Sequence, residues 1–243
     1  AITFPLMAYG LDSLPDLRHV LIKDATIWTN EAEGVLEGMD ILLQDGKIKA
    51  IGEVLDVVDA STIVINGKGK HVTAGIIDEH SHIAVSRGVN ESGQASSAEV
   101  SIASVVNSDD INIYRQLAGG VTTSQLLHGS ANPIGGQSAI IKLKWGWTPE
   151  EMKYKNMPLF IKFALGENVK QSNWGAYNTV RFPQTRMGVE QVYYDHFLRA
   201  KAYDVKWSEY NSLKTSKKNN AITVPPRRDL ELETLAQILN KER

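Results

Sequence analysis

His71-Val-Thr-Ala-Gly-Ile-Ile77 runs straight into Asp78-Glu-His-Ser-His82, and the reading of this segment decides the fold. A short apolar run rich in β-branched residues reads as a buried strand. Residues i and i+2 of a strand point to the same face, so His80 and His82 project together at its C-terminal end. Two convergent imidazoles suit a borderline divalent cation, Zn²⁺ before others. His-x-His alone is common by chance; its place after a buried strand, preceded by Gly75 and Asp78, gives it weight. Asp78 reads either as a carboxylate that fixes the tautomer of a ligating His or as a turn residue.

Working outward, a small-residue loop leads into a helix expected over residues 97–118. Ser108 before Asp109-Asp110 is its expected N-cap, and Gly119-Gly120 its stop. Residues 121–127, 138–145 and 159–165 read as further strands, residues 187–213 as a long helix, and Asp229 as the cap of a last helix reaching about Lys241. Strands alternating with helices through right-handed crossovers predict a parallel α/β architecture, the opening of a (β/α)₈ TIM-type barrel. Upstream, residues 19–70 are short strands and tight turns. Asp45-Gly46 predicts a type I′ hairpin, and Asn66-Gly67 a second turn. The predicted organisation is a small β-sandwich over 1–70 followed by part of a barrel over 71–243.

In the strand expected over 159–165, Ile161, Phe163 and Leu165 share the apolar face that packs on helices. Lys162 is thereby sent inward with Phe160 and Ala164. An inward lysine is costly unless it is paired or chemically altered. It is a candidate metal ligand, or else an ordinary ion-pair partner of Glu167. Glu167, just past the strand end, is itself a rival ligand. His128 follows the second barrel strand and reads equally as a substrate contact or as a loop histidine bonded to nearby backbone. His196 lies within a helical stretch and reads as a surface or packing residue. The glycines of 129–136 match no phosphate-binding loop and are expected to allow a tight loop over the barrel mouth; no Gly-x-Ser-x-Gly nucleophile motif occurs.

Composition removes whole classes. The 243 residues are 42% hydrophobic and 22% charged, with a net charge of −2, so no field draws the molecule to nucleic acid or to an anionic membrane. No stretch approaches the roughly 18 apolar residues of a membrane span. With no cysteine, disulfides and thiolate metal sites are excluded, and a metal must be held by His, Asp, Glu or modified Lys. Ala1 to Pro15 does not read as a signal peptide, although one could already have been removed, and the basic run at 214–218 reads as a solvated loop.

The segment ending at His82 resembles the first-strand signature of the metal-dependent amidohydrolase superfamily: a Gly, two apolar residues, an Asp and then His-x-His. Ala74 stands where that family often has Pro. Gly119-Gly-Val-Thr-Thr123 is similar to its second strand, and Asn132-Pro-Ile-Gly-Gly-Gln137 with Phe163-Ala-Leu-Gly-Glu-Asn168 resembles an imidazolonepropionase-related branch with large bacterial members. The resemblance covers roughly residues 19–243. It implies one or two divalent ions, Zn²⁺ foremost, and hydrolysis of an amide, cyclic amide or peptide-like small molecule by activated water. It implies His80 and His82 as ligands, and several branches carboxylate a lysine placed like Lys162 to bridge two ions, which stands beside the ion-pair reading of Lys162. The general-base Asp, which follows the eighth strand in such enzymes, is expected beyond residue 243. A complete barrel takes about 200 to 250 residues, and only four of its strands are readable here, so the chain reads as a fragment or one part of an assembly. Open sheet edges would then favour self-association or pairing with a missing C-terminal half. A non-catalytic metal-binding or interaction module, and a heterocycle deaminase, are the competing readings. Large secreted members favour secretion or the periplasm over the cytoplasm.

Overall fold

The computed structural model describes residues 18–213, 215 and 223–243. The segment read for a signal peptide lies outside them, as does the basic run at 214–218 apart from Thr215. The chain divides between Ile76 and Ile77 into two compact units.

The first unit is one five-stranded sheet built on β1 (Val20–Trp28). It pairs antiparallel with β2 (Val35–Gln44), and β3 (Lys47–Gly52) flanks β2. The β2–β3 hairpin turns at Asp45 (φ 53°) and Gly46 (φ 72°), the two left-handed residues that a type I′ turn requires. Two packed sheets were expected, but the described residues form a single one. β4 (Ile63–Asn66) runs parallel to the first half of β1 and β5 (His71–Val72) to the second half, so both extend the same layer. Gly67 makes this possible. Its N–H donates to the Lys23 carbonyl at 2.7 Å, and a Cβ there would stand 2.8 Å from the Ala25 side chain. Only glycine lets the chain hug β1 this closely. Ala25, Ile27 and Ile41 form the core of the unit, with Val72 packed against them.

The second unit holds a three-stranded sheet in the order β6 (Ile76–Ser81), β7 (Val121–Leu126), β9 (Ala139–Lys142), and a separate antiparallel pair, β8 (Ile134–Gln137) with β10 (Ile161–Phe163). The architecture is mixed α/β, but among the described residues the strands do not close into a barrel. β7 and β9 are antiparallel, which corrects the all-parallel expectation. No helix intervenes between them, and parallel neighbours need a long crossover, usually helical.

The helix expected over 97–118 is a 3₁₀ turn (Ile102–Val105) followed by α1 (Ile111–Ala118). It breaks where Val106 bridges Val85 and the Asn107 N–H donates to the Ala84 carbonyl at 2.8 Å. Its cap is Asp110, not Ser108. One Asp110 oxygen accepts the Asn112 N–H at 2.9 Å and the other the Ala84 N–H at 2.7 Å, a double grip beyond the reach of a serine. Gly119 closes the helix. After α2 (Pro149–Met152), α3 (Arg186–Ser212) packs on α4 (Leu230–Leu239), which Asp229 caps. One core joins Ile113, Leu126, Ile141 and Met152, and another joins Ile134, Val192, Ala200 and Leu235. No described helix is long and apolar enough to cross a membrane.

Candidate functional site

Strand alternation sorts the end of β6. Ser81 is buried, and His80 and His82 on either side of it are exposed. Their rings meet edge to face, with centroids 5.3 Å apart and planes at 87°. His82 Nδ1 lies 2.9 Å from the Leu127 carbonyl. A carbonyl only accepts, so Nδ1 carries a proton and the neutral ring presents its lone pair at Nε2, the arrangement by which metal-binding imidazoles are oriented. The Leu127 N–H in turn donates to the Ser81 carbonyl at 3.0 Å, so one backbone contact seats both strand end and ring.

Lys162 reaches the pair from β10. Ile161 and Phe163 pack into the core, with Phe163 5.8 Å from the Tyr193 ring, and Lys162, of opposite parity, places Nζ 3.3 Å from His80 Nε2. Leu165, expected on the core face, is instead 71% exposed because the strand ends at Phe163. The Lys162 charge, then burial and His82, hold His80 below the usual imidazole pKa and so favour the neutral form that ligates. Burial lowers the pKa of Lys162 as well, and its only side-chain partner among the described residues is His80.

Glu167 stands apart from this cluster. One of its oxygens accepts from Arg186 Nε at 2.6 Å and the other from Lys170 Nζ at 2.5 Å and from Asn173. The Lys170 hydrogen bond, then those from Arg186 and Asn173, hold its carboxyl down at about 2. Asp78 accepts the His80 backbone N–H at 3.1 Å, which is the geometry of a turn residue.

His128 is buried. Its Nε2 accepts the Glu91 N–H at 2.7 Å, so its Nδ1 carries the proton donated to the Gly129 carbonyl at 2.9 Å. Both nitrogens are engaged with backbone and burial pushes the pKa down: this is the loop histidine. Gly135 and Gly136 form no loop over a mouth. They lie within β8, where Cβ atoms would stand 2.9 Å and 3.2 Å from the His128 ring. His196 donates from Nδ1 to the Val192 carbonyl at 2.7 Å and places Nε2 3.3 Å from Glu231, joining α3 to α4.

Two residues had no sequence signal. Arg181, buried, donates to the carbonyls of Ser92 (2.8 Å), Gln94 (3.3 Å), Ala131 (2.9 Å) and Val169 (3.0 Å) and lies 5.0 Å over the Trp174 ring. It thereby ties together the loops that leave β6, β7 and β10. The Tyr193 hydroxyl lies 2.6 Å from the Pro133 carbonyl and 2.7 Å from that of Ala164, and burial pushes its pKa up to about 12.

Among the described residues no three His, Cys, Asp or Glu side chains converge as a metal site. The third nitrogen beside the imidazoles is that of Lys162. Two imidazoles, one of them oriented by a backbone carbonyl, beside a partly buried amine fit a divalent cation of nitrogen and oxygen preference.

No family model matches the chain. It is 31% identical over 214 residues to the amidohydrolase tasK of Hapsidospora irregularis, covering 74% of this chain and 21% of that protein. A shorter stretch of 63 residues is 46% identical to a dihydroorotase of Halalkalibacterium halodurans, covering 26% of this chain and 14% of that one. The crystal structure of an amidohydrolase from Thermotoga maritima superposes with a TM-score of 0.73 at 31% identity, covering 91% of this chain and 55% of that chain. The chain thus spans about a fifth of the first curated relative and just over half of the Thermotoga chain. On its first-strand motif, its mixed α/β fold and these likenesses, the chain belongs to the amidohydrolase superfamily.

Proposed function

We propose that this chain carries the first part of a metal-dependent centre for hydrolysis of C–N bonds in small amides, cyclic amides or peptide-like molecules. The observation that carries the reading is the cluster of His80, His82 and Lys162, with the His82 tautomer held by the Leu127 carbonyl. His80 and His82 would hold the ion through Nε2, zinc being the first choice for this donor set. A divalent cation there supplies Lewis-acid polarisation of the scissile carbonyl and activation of water. The chain's own residues contribute neutrality, orientation and a third donor. Lys162, partly buried and without a carboxylate partner among the described residues, is suited to add CO₂ at Nζ with loss of a proton, which replaces an amine by a carboxylate beside the imidazoles. That oxygen pair admits a second ion.

The general-base carboxylate and further ligands belong to later barrel strands, and the matches of 132–137 and 163–168 keep the imidazolonepropionase-related branch within this reading. β6 lies at the edge of its sheet with Ile77 70% exposed, a place for further strands from a continuing chain or a second copy to pair. Elemental analysis after incubation with Zn²⁺ tests the reading. We expect bound zinc that is lost in His80→Ala/His82→Ala, and a carbamate ¹³C resonance from ¹³C-bicarbonate that disappears in Lys162→Ala. Zinc retained in the double variant would overturn it. Amide, ester and amino-heterocycle substrates, given to a longer parent chain, separate a hydrolase of amides from a deaminase.

A further inference from the structure

The loops tied together by Arg181 border an open cleft of about 440 Å³ lined by Asn90, Ser130, Ala131, Asn168, Asn173 and Trp174. Each strand that builds the His80–His82–Lys162 cluster sends one of these loops: Asn90 follows β6, Ser130 and Ala131 follow β7, and Asn168 to Trp174 follow β10. No charged side chain lines it. Its polar groups are three carboxamides and a hydroxyl, and its one large surface is an indole.

Those groups are held with hydrogen-bonding capacity to spare. The Asn90 side chain occupies the space over Gly129, where any Cβ would collide with it, and its Oδ1 accepts the Ala131 N–H at 3.2 Å. The Nδ2 group of Asn90 has no partner among the described residues. Asn173 is the converse case: its Nδ2 is committed to the Glu167 carbonyl, which leaves Oδ1 as an acceptor. Asn168 holds Trp174 by its backbone, accepting from Nε1 at 3.2 Å, so its own carboxamide remains available. Trp174 is fixed by that bond and by Arg181 against its ring. The acid nearest in sequence, Glu167, is neutralised by Lys170 and Arg186.

A fixed donor, a fixed acceptor and a rigid aromatic wall without charge match a neutral amide. A carboxylate or ammonium entering this cleft would give up water without meeting a counter-charge among the lining side chains. We infer that this cleft is a substrate subsite selecting an uncharged carboxamide or peptide-amide group. The inference rests on the hydrolase reading for its biological meaning, but binding there needs no metal.

The test is side-chain amide and indole NMR on the full chain without metal, titrated with N-acetylglutamine methylamide, its glutamate counterpart and its lysine counterpart. The neutral probe should shift the Trp174 indole N–H and the carboxamides of Asn90, Asn168 and Asn173, and the glutamate probe should bind about tenfold more weakly or worse. Asn168→Asp, which keeps the backbone bond to Trp174, should reverse the preference towards the lysine probe. Equal binding of all three probes, shifts confined to other residues, or no shift with about 50 mM neutral probe would each overturn the inference. A parallel zinc titration separates the two proposals: selectivity without zinc binding removes the metal centre alone, and zinc binding without selectivity removes the subsite alone.

Discussion

An imidazole whose two nitrogens are both engaged with backbone is intolerant of a second proton. His128 accepts the Glu91 N–H at Nε2 and donates from Nδ1, so protonation replaces an acceptor by a donor facing another donor. Burial sets its folded pKa below the ordinary 6.5. The sign follows: as pH falls through the unfolded value, the unfolded chain takes up a proton that the folded chain resists, so stability is full above that value and declines below it. Thermal unfolding at about pH 5 and about pH 7 should show this loss, and His128→Gln should flatten it, because glutamine accepts the Glu91 N–H without titrating. At the upper pH the variant should be less stable by about 1 kcal/mol, the net worth of a buried hydrogen bond. An undiminished pH dependence in the variant would move the effect elsewhere, His80 being the next group with a lowered pKa.

Elements were legible in the sequence where local chemistry decides them. The Asp45-Gly46 dipeptide set the β2–β3 hairpin because two left-handed residues in succession leave the chain little choice. Alternation along β10 put Lys162 opposite Ile161 and Phe163, and Asp229 and Gly119 ended their helices as their chemistry suggests. What escaped was decided by partners distant in the chain. The run at 97–118 has helical periodicity, yet residues 84–86 compete for its backbone and break it. Ser108 reads as the cap because the amide that claims the second oxygen of Asp110 belongs to Ala84, far away in the sequence. Asp110→Ala should therefore cost about 1–2 kcal/mol, as a lost cap does, with Ser108→Ala close to neutral. Chemical denaturation of the pair measures the difference, and equal costs would count against Asp110 as the cap. Within the site, the His-x-His spacing could be read directly. The commitment of Glu167 to Lys170 and Arg186 could not, since Arg186 lies 19 positions away.

At the scale of the molecule, a single side chain connects what the sequence keeps apart. Arg181 gathers carbonyls from residues 92 and 94, from 131 and from 169, and nothing near Val180-Arg-Phe182 in the sequence announces it. A guanidinium enclosed by carbonyl oxygens has no neutral substitute, because each of those oxygens is left without a donor when it goes. In Arg181→Met, amide hydrogen exchange should quicken in all three loops together, whereas Asn132→Ala, which releases only the carbonyls of Glu91 and Gln94 and the Ser97 hydroxyl, should quicken one. The carbonyls would then form a vacancy of defined shape and polarity. Dissolved guanidinium at low concentration, ordinarily a denaturant, should restore slow exchange to the Arg181→Met protein before it unfolds it, so that the same solute acts first as a missing part and only later as a solvent.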